Sequence, residues 1–102
     1  MEKSFQAHKT NGVFLRFPNG NCISTVWGKY TYSDNHDIDN DVPFETRMDS
    51  NNVEILIKCS DKLHKKIHKK YDGDGSIIGY INIKQWIEIL NLLEKETPPT
   101  KP

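Results

Sequence analysis

The feature that most narrows what this chain can fold into is the tetrapeptide Pro18-Asn19-Gly20-Asn21, set between two short apolar runs, Val13 to Phe17 and Cys22 to Trp27. Asn-Gly between apolar runs is a strong hairpin signal, because both central residues of a type I′ turn need positive φ and these two residues tolerate it. The spacing predicts an antiparallel hairpin here, with Gly28 at a bulge or bend and Tyr30 and Tyr32 continuing the sheet.

One hairpin cannot stand alone in water, so more strands and a cover are required. Phe44 to Met48 and Val53 to Cys59 supply a second hairpin candidate around Asp49-Ser50-Asn51-Asn52. In its second strand Val53, Ile55, Ile57 and Cys59 alternate with Glu54, Leu56 and Lys58, a period of two with one apolar face. Ser60 to Tyr71 reads as a short helix, with Ser60 as cap and Leu63, Ile67 and Tyr71 at helical spacing, stopped by Asp72-Gly73-Asp74-Gly75.

The clearest helix begins at Asn82, an N-cap with Gln85 three residues on, and ends before Pro98-Pro99. Ile83, Trp86, Ile87, Leu90 and Leu93 are expected on its inward face. Leu92 falls nearly opposite Ile83, which makes it either a lone exposed leucine or part of a partner or self-association surface. The expected fold class is α+β: an antiparallel sheet of about four strands, in two hairpins, packed against a C-terminal amphipathic helix, with a short second helix at 60–71. Residues 1–11 are expected to be a flexible N-terminus, 12–96 a single domain, and 97–102 a disordered tail.

Composition limits the function classes. Apolar content of 35% with four Tyr, four Phe and two Trp is too rich for a disordered chain. Fourteen basic and fourteen acidic residues cancel, so net charge favours no partner class, but the charges are segregated. Seven acids lie between Asp34 and Glu54 against Arg47 alone, and six lysines between Lys58 and Lys70 against Asp61 alone. Met1 to Gly12 holds no apolar run, and no stretch is long enough for a membrane span. Cys22 and Cys59 are therefore expected as reduced thiols of a cytoplasmic protein with no membrane partner.

The motifs that carry chemistry are few. Tyr71-Asp72-Gly73-Asp74-Gly75-Ser76-Ile77 resembles the middle of an EF-hand loop, but the first and twelfth ligand positions fall on Lys70 and Ile81. A plain Asp-Gly turn is the expectation. Asp61, His64 and His68 share a helix face, yet they sit among lysines whose field opposes a zinc ion. No metal and no cofactor are expected. Lys62, Lys65, Lys66, Lys69 and Lys70 form a candidate anion site, to which Tyr30, Tyr32 or Trp27 would add base stacking, and a solvated helix face has the same pattern. Asp37, Asp39 and Asp41, with Asp34, are candidates for a basic groove on a partner. Ser24, Cys22 and the four histidines lie in no catalytic spacing, and there is no phosphate-binding glycine loop, so an enzyme is not expected.

Phe17-Pro18-Asn19-Gly20, Ser24, Gly28, Tyr32, Val53-Glu54-Ile55 and a closing helix together resemble a group of small proteins encoded by tailed phages and prophages, over residues 14–95. The resemblance implies an accessory binding protein that inhibits a host defence protein without catalysis. The acidic loop and the 62–70 segment depart from that group. Two alternatives stay open: an oligomeric sponge sequestering a nucleotide signal, and a nucleic-acid-binding module using residues 62–70.

Overall fold

A computed structural model describes residues 4–7, 11–28, 31–33 and 49–97. Five strands pair in chain order as an antiparallel meander: β1 (Phe5–Ala7), β2 (Asn11–Arg16), β3 (Cys22–Trp27), β4 (Asn52–Lys58) and β5 (Ile78–Asn82). Helix α1 (Asp61–Lys70) lies between β4 and β5, and α2 (Ile83–Lys95) follows β5 directly. The α+β class, the first hairpin and the closing helix packed on the sheet match the sequence expectation. No helix among the described residues is long and apolar enough to cross a membrane.

The strand count differs from expectation at both edges. Within the stretch expected to be loose, Phe5–Ala7 pair with Val13–Leu15. At the other edge, β5 pairs with β4 through Val53↔Ile81 and Ile55↔Ile78, with a bulge between. The Ile77-Ile78-Gly79-Tyr80-Ile81 run is too short and glycine-interrupted to announce itself beside a strong helix signal. Gly79 is nonetheless required, since a Cβ there would lie 2.5 Å from the Cβ of Tyr32. The proposed partner strand at 44–48 lies outside the described residues, and β4 pairs instead with β3 and β5. Tyr32 does not extend the sheet: Gly28, at φ +111°, ends β3 and turns the chain away.

The turn between β2 and β3 is not type I′. Gly20 has φ +91° but Asn19 does not have positive φ, and the Gly20 N–H donates to the Phe17 carbonyl at 2.9 Å. Pro18 holds its own φ near −65°, which seats a type I turn followed by a left-handed glycine. That leaves the Asn19 side chain pointing across the fold. Its Oδ1 accepts from the Asn21 N–H at 2.9 Å, and its Nδ2 donates to the carbonyls of Leu93 at 2.7 Å and Glu96 at 2.8 Å. Asn21 Nδ2 also donates to the Leu93 carbonyl, at 2.9 Å. The hairpin turn thus caps the C-terminus of α2, whose last carbonyls have no partner within the helix. Glu96 then accepts from the hydroxyl of Ser60, the N-cap of α1, which holds its carboxyl below the ordinary range.

The core joins Ile23, Ile55, Ile57, Ile78 and Ile81 of the sheet to Leu63 and Ile67 of α1 and Ile89 and Leu93 of α2. Strand alternation puts Phe14, Ser24, Val26, Leu56 and Lys58 on the opposite face. On α2 the inward face is turned from the expected one by about 70°, at 100° per residue. Leu92 packs against the core, whereas Ile83 is 66% exposed and Ile87 50% exposed. Because α2 starts on the residue after β5, its first residue, Ile83, emerges at the sheet's end in water, and Trp86 is the first side chain of the helix to reach the core.

Candidate functional site

The five lysines of α1 are exposed, but they do not act as one set. Lys62, Lys65, Lys66 and Lys69 share an arc of about 100° directed away from Leu63 and Ile67. Lys70 lies off that arc, with its Nζ 3.9 Å from Glu88 of α2 and 5.4 Å from the centre of the Tyr71 ring. On the inner side His68 is buried, stacked on His64 at 4.2 Å, and its Nδ1 accepts the Gly75 N–H at 3.2 Å. Its Nε2 has no hydrogen-bond partner among the described residues. Burial, and then the charge of His64, hold His68 below its ordinary value of 6.5.

Tyr32 is brought to a second place. Its N–H donates to Glu54 Oε1 at 3.1 Å, and its carbonyl accepts the Tyr80 N–H at 2.8 Å. Thr31 and Ser33 hold the same segment through a hydroxyl pair at 2.7 Å and through bonds to Gly28. The ring, 55% exposed, therefore stands on an anchored backbone. It lines a cavity of about 480 Å³ with Lys70, Tyr71, Asp72, Asp74 and Tyr80. Tyr80 has φ +55°, a conformation that costs a bulky residue about 1–2 kcal/mol. The Tyr71 hydroxyl donates to Glu88 at 2.7 Å; burial, then that bond, push its pKa up to about 12. The Asp-Gly turn is an Asx turn: Asp74 Oδ1 accepts the Ser76 and Ile77 N–H groups, both at 2.8 Å, which holds the carboxyl ionised to lower pH.

A third surface was not foreseen. Trp27 and Trp86 face a cleft of about 320 Å³ floored by Val13, Val53 and Ile81 and flanked by Ile83. Trp86 is fixed by its Nε1, which donates to the buried Thr25 hydroxyl at 2.9 Å. Ser50, Asn51, Asn52 and Asn82 form a polar rim. Exposed Ile87, one turn beyond Ile83, extends the apolar surface along α2. The sequence reading takes Trp27 as a stacking residue and sets Trp86, Ile83 and Ile87 on the inward face of α2, where of these three only Trp86 packs against the core. The one available signal was the absence of any loop between Ile81 and the Asn82 cap.

Tyr30, Asp37, Asp39 and Asp41 lie outside the described residues. Leu92 is half-buried and packs against the core rather than standing free on the outer face of α2. Cys22 is buried and Cys59 half-buried, and both are free thiols. No family model, curated protein or solved structure matches the chain.

Proposed function

We propose that this protein is a non-catalytic binding module that docks a protein partner on the cleft between Trp27 and Trp86. The observation that carries this reading is the pairing of a two-tryptophan cleft with outward-facing Ile83 and Ile87 on a folded domain. Isolated exposed apolar residues are ordinary, but a contiguous apolar surface around a concave aromatic pocket is what interface anchors fill. A volume of about 320 Å³ takes one or two large side chains, and the Ser and Asn rim offers hydrogen bonds to a backbone. Inhibition of a host protein in the cytoplasm is the form of this reading that the resemblance to small phage-encoded proteins implies.

The test places a photo-crosslinking side chain at position 83 or 87, with position 65 as control, in cells that contain the partner. A protein captured at 83 and 87 but not at 65, whose binding to the purified domain weakens at least tenfold on Ile83→Asp, supports the reading. Undiminished binding by Ile83→Asp and Ile87→Glu overturns it. A dimer that Ile83→Asp converts to monomer gives the cleft to a second copy of this chain.

The lysine arc of α1 favours a second reading, nucleic-acid binding. Affinity for single-stranded DNA should then fall steeply with salt and weaken further on joint substitution of Lys62, Lys65, Lys66 and Lys69. Loss of neither sinks it. The nucleotide-sponge alternative has less support, because Tyr32, Tyr71 and Tyr80 stand with Asp72 and Asp74 rather than with the lysine arc.

A further inference from the structure

Tyr32, Tyr71 and Tyr80 meet around one cavity although they come from three different segments of the chain. Their places are fixed by hydrogen bonds: the Tyr32 N–H donates to the Glu54 carboxylate and its carbonyl accepts the Tyr80 N–H, the Tyr71 hydroxyl donates to Glu88, and Tyr80 keeps a backbone conformation that its side chain disfavours. Strain of that kind persists only where the surroundings impose it. Tyr80 lies at the bulge between β5 and β4 and is half exposed beside the cavity.

The charge around these rings is mostly negative. Asp72 and Asp74 line the cavity, while Glu88 and Glu54 bond to its tyrosines, against the single ammonium of Lys70. The C-terminal end of α1, the negative end of its dipole, delivers Lys70 and Tyr71 to the same place. The positive end of α2 also lies nearby, where the Asn82–Gln85 capping box occupies two of its N–H groups. Ring faces attract cations and repel anions. Lys70 already demonstrates the attraction, with its Nζ over the Tyr71 ring.

We propose that the cavity bounded by Tyr32, Tyr71 and Tyr80 is a binding site for an organic cation, an alkylammonium or guanidinium group. Lys70 occupies part of it as a tethered competitor. This site is separate from the tryptophan cleft and does not depend on it.

The experiment follows the amide resonances of Asp72, Gly79 and Tyr80 while tetramethylammonium, arginine amide, the neutral isostere 3,3-dimethylbutanol or AMP is added to the full chain. The cations should shift these amides and the neutral isostere should not. Lys70→Met removes both a like charge and the competitor, so it should tighten the cations about fivefold. Tyr80→Asn keeps a residue that tolerates positive φ while deleting the ring, and should weaken them about tenfold with the fold intact. Tetramethylammonium stronger than arginine amide assigns the cavity to ammonium groups, and the reverse to guanidinium groups, and both support the proposal. Equal shifts from 3,3-dimethylbutanol, weaker cation binding in Lys70→Met, or a preference for AMP overturns it.

Discussion

Replacing Asn19 by aspartate separates the two roles the structure gives that residue. Aspartate is the same size, suits the turn, and keeps an oxygen to accept the Asn21 N–H. What it removes is the Nδ2 donor that faces the Leu93 carbonyl at 2.7 Å and the Glu96 carbonyl at 2.8 Å. Two well-formed hydrogen bonds contribute about 1 kcal/mol each. A carboxylate at the C-terminal end of a helix adds about 0.5–1 kcal/mol of repulsion. Asn19→Asp should therefore cost about 3 kcal/mol, a large share of the 5–15 kcal/mol typical of a small domain. Asn19→Ala, which loses the donors without adding charge, should cost about 2 kcal/mol. Urea unfolding followed by tryptophan fluorescence reads both, with an unchanged slope confirming that the midpoint shift is a stability change. On acidification the aspartate regains an O–H donor, so its deficit relative to Asn19→Ala should narrow. If Asn19→Asp unfolds within about 0.5 kcal/mol of the parent protein, the side chain does not hold α2 and its role is confined to the turn.

Three further outcomes test the packing and the buried groups. Gly73→Ala places a Cβ 2.0 Å from His68 Nδ1 and 2.8 Å from Ile78 Cγ1, so overpacking and the lost Gly75 bond should cost about 3 kcal/mol, whereas Gly75→Ala, at φ +93° in open space, should cost about 1 kcal/mol; equal urea midpoints refute the steric account. His68 is held below 6.5 when folded, so the unfolded chain binds the proton more readily and stability should fall as pH drops from 6.5 through that lowered value. Protonation also turns Nδ1 into a donor facing the Gly75 N–H, and a flat urea midpoint between pH 7 and about pH 5 contradicts this. The Cys59 thiol is pushed up to about 11, by burial first and then by Glu96 and Asp61, so at pH 8 its thiolate fraction, and with it disulfide-reagent labelling, should be about a hundredfold below that of a free thiol. Labelling at the free-thiol rate excludes that environment.

Local rules carried much of the architecture. The β2–β3 hairpin, the alternation in β4, the Ser60 cap of α1 and the Asn82–Gln85 box of α2 rest on interactions within a few residues, and each stands in the structure where its signal lies. The lysine arc was legible for the same reason, since helical spacing alone decides which residues share an exposed face.

What only the tertiary structure decided is which way those elements face and what their polar side chains reach. Periodicity marks α2 as amphipathic, and Trp86, Leu90 and Leu93 of the expected inward set do pack, but it does not say to which side of them the buried arc extends. The choice fell to the start of the helix at the end of β5, which turned Leu92 inward and left Ile83 and Ile87 in water. Asn19 suits a turn in any sequence, and only the placement of α2's last carbonyls 74 and 77 residues away makes it a helix clamp. Tyr32, Tyr71 and Tyr80 share no spacing that sequence could register; the edge strand β5 and the bend after Gly28 bring them together. The sequence by itself determined β2, β3, β4 and the two helices, because propensity, capping and alternation act over a few residues, whereas the edge strands β1 and β5 exist only through their pairing with β2 and β4. Both candidate sites arose from long-range packing, because the angles at which those elements meet are set by volume filling and hydrogen-bond satisfaction across the whole core.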